Sequence, residues 1–562
     1  MSDESDGRAA AGERAGGRGR AVIEILLIAA VFAAAGCWPV PDVNETVYLT
    51  KARHAADPAY GRGDFFLETP DAHGIFYLVV GPLAATLSLE TAAWIGRIAG
   101  WLALAVGFRH LAHALTAGSG QRATLLRLAA AAIFSLALRQ TTAAGEWVIG
   151  GCEGKVFAWA LVLAGLGELV SGRFAAAWLL MGGATAFHPI VGGWAMIATV
   201  PAWLATRPRP SATARPRAAL TAAGLLGGLV LAAAGIVPAL LLSSGAEPAI
   251  REEAARIYVA ERLPHHLLPR TFAPGFVPRH ILAILTWWLL DRLAPAAWRR
   301  RRLTAFTLAA LGISAAGLVI AAAEPWAATT AYGLLRYYWF RLGDVAVPLA
   351  LAFSATAVLA DEAASRKLGL SAAAVRMIIA VMLLVDLAAQ STHWPLPGRS
   401  LPPRADSKVE AAAWADACAW IRGHAPAETR VLTPRGAASL IWRTGLPEVV
   451  SWKNSPQDAA SLIEWRRRIT DCFSADGSFR GMERSTAALG EARLREVAER
   501  YEADLAIVPL DTPGLEDISC ERLHANDAYV VMRLRPLPAA ARAAAQGGGS
   551  TTARPALPPS AE

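Results

Sequence analysis

The sequence predicts a polytopic α-helical membrane protein of about eleven transmembrane helices with a small C-terminal α/β domain. Three observations predict this fold class. Hydrophobic residues make up 54% of the 562 residues and charged residues only 18%, whereas soluble domains are about 25% charged. Apolar runs long enough to cross a bilayer recur from residue 21 to residue 390. Beyond residue 404 they give way to amphipathic helices and short strands.

The N-terminal region is the first element in this interpretation. Residues 1–20 are small and charged without apolar periodicity, which predicts a disordered cytoplasmic tail. Residues 21–38 form the first span, and the alternative is a cleaved signal peptide or a lipoprotein box ending at Cys37. That box lacks its usual Leu and many apolar runs follow, so we interpret the segment as a signal anchor.

The rest of the region 21–390 supplies ten further spans, which complete the predicted transmembrane domain. They are residues 92–115, 124–139, 154–171, 174–188, 190–205, 218–243, 279–294, 303–323, 344–361 and 373–390. The run 74–89 is either a twelfth span or an interfacial helix.

The basic residues orient the chain. The net charge is +8, and the Lys and Arg residues cluster before the first span and at 207–217, 298–302 and 365–367. The positive-inside rule places these connectors in the cytoplasm, which requires that 74–89 does not cross. We therefore predict a multi-pass protein of the cytoplasmic membrane with the N-terminus inside. The first outer loop is then 39–91, with 74–89 as its interfacial helix.

The C-terminal part is predicted to be extracytoplasmic. A linker at 391–404 precedes an α/β domain at 405–536, and 537–562 is a low-complexity tail. Helices are predicted at SKVEAAAWADACAWIRGH, SPQDAASLIEWRRRITDCF and EARLREVAERY, and strands at TRVLTP, EVVSW, LAIVPL and YVVMRL.

Carboxylates, cations and aromatic residues concentrate in the predicted outer loops, where a lipid-phosphate substrate would present its head. The five cysteines are not closely paired, so they signal neither a zinc knuckle nor a redox pair. No Gly-rich loop follows a strand, so no nucleotide site is predicted. Because much of the positive charge orients the chain, we predict no nucleic-acid partner.

Three features of residues 21–390 resemble the GT-C class of integral-membrane glycosyltransferases, such as protein O-mannosyltransferases and aminoarabinose transferases. These are NETVYLTKARH after the first span, DAHGIFYLVVGPLAATLSLETAAWIGRIAGWL, and the topology itself. The chain departs from the class at Asn44-Glu45, where Asp-Glu is common, and at His73, which lacks the paired prolines of the HPPLYY pattern. The stretches GGCEGKVFAWAL, FHPIVG and SWKNSPQD also resemble uncharacterised bacterial membrane proteins, which supply no activity.

The resemblance implies a polyprenyl-phosphate sugar as donor and a lipid, glycan or protein as acceptor, with membrane lipids around both. Attack at the anomeric carbon needs a general base, for which Glu45 is the first choice and Asp42 the second. The phosphate leaving group needs cations. The residues predicted to bind substrate are Arg336, Arg341, Lys155, Arg97, His73, Glu153 and His188. No cofactor or metal ligand set is predicted, and a requirement for a divalent metal is left open.

Each candidate residue has a structural alternative. In this alternative, Glu45 caps a helix or pairs with Lys51 or Arg53 and has no catalytic role. Arg336 and Arg341 could mark an interfacial helix, Arg97 could reach the membrane surface, and His188 could cap a helix end. The alternative functions are a transporter or flippase for a lipid-linked substrate, and a non-catalytic envelope assembly protein. A transporter usually has ionisable residues near the bilayer midplane, and the predicted spans are mostly Ala, Leu, Gly and Val.

Overall fold

The chain divides into two compact units in the computed structural model, which describes residues 2–117, 120–206, 215–367 and 371–535. Unit 1 comprises Met1–Asp57, Thr69–Arg404 and Pro456–Arg466, and unit 2 comprises Pro58–Glu68, Ala405–Ser455 and Arg467–Glu562. The tail predicted at 537–562 and most of the basic connector predicted at 207–217 lie outside the described residues.

Unit 1 is helical. Its helices are α1 Ser2–Gly36, α2 Glu45–Ala56, α3 Gly74–Thr86, α4 Leu89–Leu115, α5 Ala123–Gln140, α6 Gly154–Ser171, α7 Phe174–Phe187, α8 Pro189–Thr206, α9 Arg215–Leu241, α10 Pro248–Arg256, α11 Pro264–Leu267, α12 Phe276–Leu293, α13 Trp298–Ala322, α14 Ala328–Leu335, α15 Arg341–Ala360, α16 Glu362–Lys367 and α17 Ala372–Ser391. A π-helical turn, Ile257–Arg262, follows α10. Helix α1 takes in most of the first 20 residues, for which the sequence predicts a disordered tail.

The prediction of a polytopic helical membrane protein is confirmed. Eight helices of the described chain are long and apolar enough to cross a membrane, namely the Arg18–Gly36 part of α1 and helices α4, α5, α6, α8, the Ala218–Leu241 part of α9, α13 and α15. Each of the eleven predicted spans coincides with a helix. Helix α7 is apolar but only 14 residues long, and α12 contains Arg279, Asp291 and Arg292. The count of eleven crossings and their orientation stay predictions.

Aromatic rings and small residues pack the helices of unit 1. Phe32, Phe108 and Phe134 are fully buried and stack or meet edge to face, which joins α1, α4 and α5. Helices α7 and α9 pack so closely that a Cβ on Gly182 would lie 2.1 Å from the Gly228 carbonyl oxygen. Small residues at such a contact let two helix backbones pack closely where the hydrophobic effect between membrane helices is weak.

Unit 2 contains a four-stranded mixed sheet covered by helices. Its strands are β1 Val431–Leu432, β2 Leu505–Pro509, β3 Glu521–Ala525 and β4 Tyr529–Arg533, and their order in the sheet is β1-β2-β4-β3. The pair β1–β2 is parallel, and the pairs β2–β4 and β3–β4 are antiparallel. The helices are α18 Ala411–His424, α19 Leu440–Thr444 and α21 Glu491–Arg500, together with the C-terminal part of α20 Ala459–Phe473.

The predicted C-terminal α/β region is confirmed, with two corrections. The stretch EVVSW was predicted to be a strand, but it makes only an isolated bridge between Glu448 and Val431. Strand β3 was not predicted, because ERLHA is largely exposed and lacks the apolar alternation that signals a strand. The buried strands β2 and β4 have the strong apolar runs that the prediction used.

The stretch Pro58–Glu68 belongs to unit 2 and is hydrogen-bonded into it. Tyr60 donates its hydroxyl to the Ile441 carbonyl at 2.6 Å, and the Arg430 side chain donates to the Gly63 carbonyl at 3.1 Å. The Glu448 amide donates to the buried Asp64 carboxylate at 2.9 Å. Asp64 and Glu448 are both buried, and the charge of Asp64 acts on the Glu448 carboxyl group.

Replacing Glu448 by glutamine is expected to weaken the pH dependence of unit 2 stability. Burial and the neighbouring Asp64 carboxylate raise the pKa of Glu448 from 4.5 to about 8. The folded state therefore holds a proton that the unfolded state releases, and this contribution to stability is lost as pH rises through the window from 4.5 to about 8. The free energy of unfolding should fall by up to about 1.4 kcal/mol per pH unit within that window.

Thermal unfolding of the full chain at several pH values between 5 and 9 measures this effect. The neutral amide of E448Q resembles the protonated acid, so its unfolding temperature should change less with pH. E499Q, at an exposed position of α21, is the matched control and should follow the native protein. Equal pH dependence in E448Q and the native protein would contradict the assignment.

Candidate functional site

Four side chains of unit 1 form a buried charged group that we call the cation cluster: Glu146, Glu153, Lys155 and Arg341. Lys155 lies in the first turn of α6 and Arg341 begins α15. Glu146 lies between them, with Oε2 2.7 Å from Arg341 Nε and Oε1 3.6 Å from Lys155 Nζ. The Lys155 and Glu146 side chains are only 4% and 5% exposed. The cluster therefore holds four charged groups largely out of water.

Glu153 is held by neutral donors more than by the cations. Asn44 Nδ2 donates to its Oε2 at 2.8 Å and Trp147 Nε1 donates to its Oε1 at 2.9 Å. Lys155 Nζ is 3.9 Å from the same carboxylate and lies 3.4 Å from the centroid of a Trp147 ring. The ammonium group is thus stabilised by charge and by an aromatic face.

The two cations of the cluster have unused hydrogen-bond donors. Among the residues that the structure describes, none accepts a hydrogen bond from the Lys155 ammonium or the Arg341 guanidinium, because their carboxylate contacts are too long or misaligned. Lys and Arg carry three and five N–H donors, and buried donors of this kind are normally satisfied. An anion with several acceptor oxygens would satisfy them.

A strained tyrosine supports Arg341. The guanidinium carbon of Arg341 lies 3.9 Å from the centroid of the Tyr338 ring, and the Tyr338 hydroxyl is 3.0 Å from the Tyr258 hydroxyl. Tyr338 has φ +56°, which is uncommon for a residue with a side chain. Tyr258 lies in the π-helical turn Ile257–Arg262. Such strain and such turns are found preferentially at functional sites.

Next to the start of α3, Asp71 and His73 form a second group, the His–Asp pair. The Asp71 carboxylate is 2.6 Å from His73 Nδ1 and also accepts the His73 backbone N–H at 2.8 Å. Burial alone would raise the pKa of Asp71, but the charge and hydrogen bonds of His73 lower it to about 2. Asp71 therefore stays ionised, and a carboxylate at this distance favours the tautomer with the proton on Nδ1, in which Nε2 is the nitrogen that can accept a proton. This nitrogen lies 3.3 Å from the Tyr48 hydroxyl.

Electrostatic interactions connect the His–Asp pair with the cation cluster. Burial raises the pKa of Tyr48 well above its usual value, and the charges of Glu153, Asp71 and Arg341 also act on its hydroxyl. His188, whose ring centroid is 5.1 Å from that of His73, interacts with Lys155 and Arg341. His188 Nδ1 also accepts the Val191 N–H at 3.3 Å, within the first turn of α8. We refer to the His–Asp pair and the cation cluster together as the polar site.

Glu45 and Arg97 form a separate buried ion pair. Two nitrogens of Arg97 each lie 2.7 Å from a Glu45 oxygen, and a third donates to the Trp38 carbonyl. The Glu45 carboxylate also accepts the backbone N–H groups of Asp42 at 2.7 Å and Cys152 at 2.8 Å. Four donors thus surround the Glu45 carboxylate.

Asp42 and Arg336 lie outside both groups of the polar site. Asp42 Oδ1 accepts the Val43 N–H at 2.7 Å and is 3.2 Å from the Arg404 guanidinium. Arg336 is half-buried with its guanidinium 5.7 Å from the centroid of the Tyr337 ring.

Of the residues that the sequence predicts for the site, the structure brings five together: Glu153, Lys155, Arg341, His73 and His188. Sequence reasoning did not select Glu146, Asp71, Tyr48, Tyr258, Tyr338 or Gln457, the last of which contacts both members of the His–Asp pair. Glu146 and Asp71 could have been found from their outer-loop positions, but Gln457 has no such signal. Within the described ranges no three His, Cys, Asp or Glu side chains are grouped closely enough to hold a metal ion.

The chain is similar to a family model and to solved structures of known proteins. A family model described as a domain of unknown function, DUF6798, matches residues 412–472, and no curated protein matches the chain. The chain is similar over 92% of its length to ArnT from Cupriavidus metallidurans in the apo state, at 14% identity and a TM-score of 0.40, covering 98% of that chain. It is also similar over 92% of its length to arabinofuranosyltransferase AftD from Mycobacteria, at 15% identity and a TM-score of 0.44, covering 41% of that chain.

Proposed function

We propose that the protein is a membrane glycosyltransferase that moves a sugar from a polyprenyl-phosphate donor to an acceptor at the outer face of the cytoplasmic membrane. One observation supports this proposal most directly: the buried Arg341 Nε makes no aligned hydrogen bond in the described structure, and the Lys155 ammonium is 3.6 Å from Glu146 Oε1, beyond hydrogen-bond distance. Cations buried in a membrane protein are costly and are usually functional. A phosphate headgroup carries several acceptor oxygens for the N–H donors of these two side chains.

The cations have a role in the reaction as well as in binding. When the acceptor attacks the anomeric carbon, the bond to the phosphate oxygen breaks and negative charge develops on the leaving phosphate. Lys155 and Arg341, held in place by Glu146, would stabilise that charge without having to reorganise. The Tyr338 ring under Arg341 keeps the guanidinium in its position.

We propose His73 as the general base. Its Nε2 is the basic nitrogen of a ring oriented by an ionised Asp71, so it can accept the proton of an attacking hydroxyl or amine. The sequence instead favoured Glu45 and then Asp42. Glu45 is surrounded by four donors and 1% exposed, so we propose that it positions the first outer loop.

Binding of decaprenyl phosphate to the purified full chain in lipid nanodiscs tests the proposal. R341Q and K155Q should each bind this probe about 10–100-fold more weakly, because a hydrogen bond to a charged group contributes roughly 1.5–3 kcal/mol. Arg251 and Lys367 are exposed, so R251Q and K367Q are matched controls that should bind like the native protein.

The outcome that contradicts the proposal is equal affinity in the native protein, R341Q and K155Q. Incubation with a panel of decaprenyl-phosphate sugars, with membrane lipids, glycans or proteins supplied as acceptors, then separates a transferase from a flippase. A transferase consumes the donor and releases decaprenyl phosphate, whereas a flippase moves the intact donor between leaflets of a vesicle.

A further inference from the structure

A short stretch far along the chain belongs to unit 1. Pro456–Arg466 lies between two stretches of unit 2 in the sequence, but its contacts assign it to the helical unit. Its second residue, Gln457, reaches the His–Asp pair. Gln457 Nε2 donates to Asp71 Oδ2 at 3.1 Å and lies 3.2 Å from His73 Nδ1, and Gln457 Oε1 accepts the Ala72 N–H at 3.3 Å.

The other end of the same stretch contacts the π-helical turn Ile257–Arg262. Arg466 Nε donates to Glu261 Oε2 at 2.7 Å, and Trp465 lies under Arg262 with 6.0 Å between the guanidinium carbon and a ring centroid. Tyr258, in the same turn, is hydrogen-bonded to the tyrosine under Arg341. The stretch 456–466 therefore contacts the His–Asp pair at one end and the π-helical turn Ile257–Arg262 at the other.

We propose that Gln457 is a positioning residue, which orients Asp71 and limits the basicity of His73 through its amide donor. This inference rests on the proposed function, because it assigns a role within that reaction. The Gln457 amide N–H stabilises the negative charge of the Asp71 carboxylate by donating a hydrogen bond to it. Without that donor, Asp71 would hold a protonated His73 more strongly, and His73 would accept its proton at higher pH.

Several other groups face His73, and all are unchanged in a Gln457 variant. They are Asp71, Tyr48 from α2, Tyr77 from α3, and His188 at the start of α8. Lys51 also acts on the Asp71 carboxylate, and Lys155 and Arg341 act on His188. A shift in the titration of His73 between variants can therefore be attributed to position 457.

Exchange of the histidine Cε1 hydrogen for deuterium, measured by mass spectrometry across a pH series, reports the protonation of each histidine. The midpoint for His73 should move to higher pH by about half a unit or more in Q457L, which lacks the donor. It should move further in Q457E, which adds a negative charge. His113 and His424 serve as internal references, and Q140L, at an exposed glutamine, is the matched control.

If the contact of Gln457 with the His–Asp pair only anchors the stretch 456–466, we expect a different result. The thermal stability of Q457L would then fall, while the exchange midpoint of His73 would be the same as in the native protein. An unchanged His73 midpoint in both Q457L and Q457E overturns the inference. This readout does not depend on activity. A shifted midpoint with no transfer from any donor would reject the proposed function alone, whereas transfer with an unshifted midpoint would reject the role of Gln457 alone.

Discussion

Replacing His73 by glutamine is expected to lower the rate of sugar transfer by about 10²–10⁴-fold, the usual contribution of a general base. Glutamine keeps a similar length and polarity but cannot accept a proton at neutral pH. Donor binding should change little, because the cation cluster is intact. The measurement is release of decaprenyl phosphate from the donor sugar that the native protein consumes, with donor affinity determined in parallel.

The matched control for this variant is H113Q, at an exposed histidine near the end of α4. H113Q should transfer sugar at the native rate. If H73Q does so too, then His73 is not the base, and E45Q and D42N become the next variants to assay. Either of these should then lose transfer while still binding donor.

Replacing Arg97 by leucine is expected to destabilise the protein by about 3–5 kcal/mol, since it leaves the Glu45 carboxylate buried without its charged partner. Arg97 and Glu45 are both 1% exposed, so water cannot replace the lost guanidinium without rearrangement. The expected observation is a lower thermal unfolding temperature and a lower yield of folded protein in detergent.

The double variant E45L/R97L distinguishes the cost of an unpaired buried carboxylate from the cost of losing the packing of the Arg97 side chain. Removing both charges removes the unpaired carboxylate, so the double variant should be more stable than R97L, as is often found when buried ion pairs are replaced by apolar residues. R251Q, at an exposed arginine, is the control for loss of charge alone. If E45L/R97L lost as much stability as the single variants E45L and R97L lose together, the two side chains would not interact.

Local patterns in the sequence predict most of the helices. Each apolar run from 21–38 to 373–390 coincides with a helix, because about 20 apolar residues in a row have few other stable arrangements. The exposed strand β3 and the bridge at Glu448 have no such local signal. Both depend on neighbours that are distant in the sequence.

Part of the candidate site was also predictable from local patterns in the sequence. Lys155, Arg341 and His73 are polar residues at the ends of apolar runs, a position that selects them from sequence alone. The partner of Glu45 could not be predicted, because Arg97 lies 52 residues away and inside a span. Gln457 is 384 residues from His73, and only the folded chain brings the two together.

Each unit includes a short segment whose neighbours in the sequence belong to the other unit. Pro58–Glu68 belongs to unit 2, and Pro456–Arg466 belongs to unit 1. Neither unit is therefore contiguous, and this governs the order of events during biosynthesis. All of the helices α1–α17 leave the ribosome before the residue that contacts the His–Asp pair does. The membrane part can insert early, but the polar site is complete only once residues 456–466 have been made and delivered to it. We expect a chain truncated after residue 404 to insert normally and to lack the finished site.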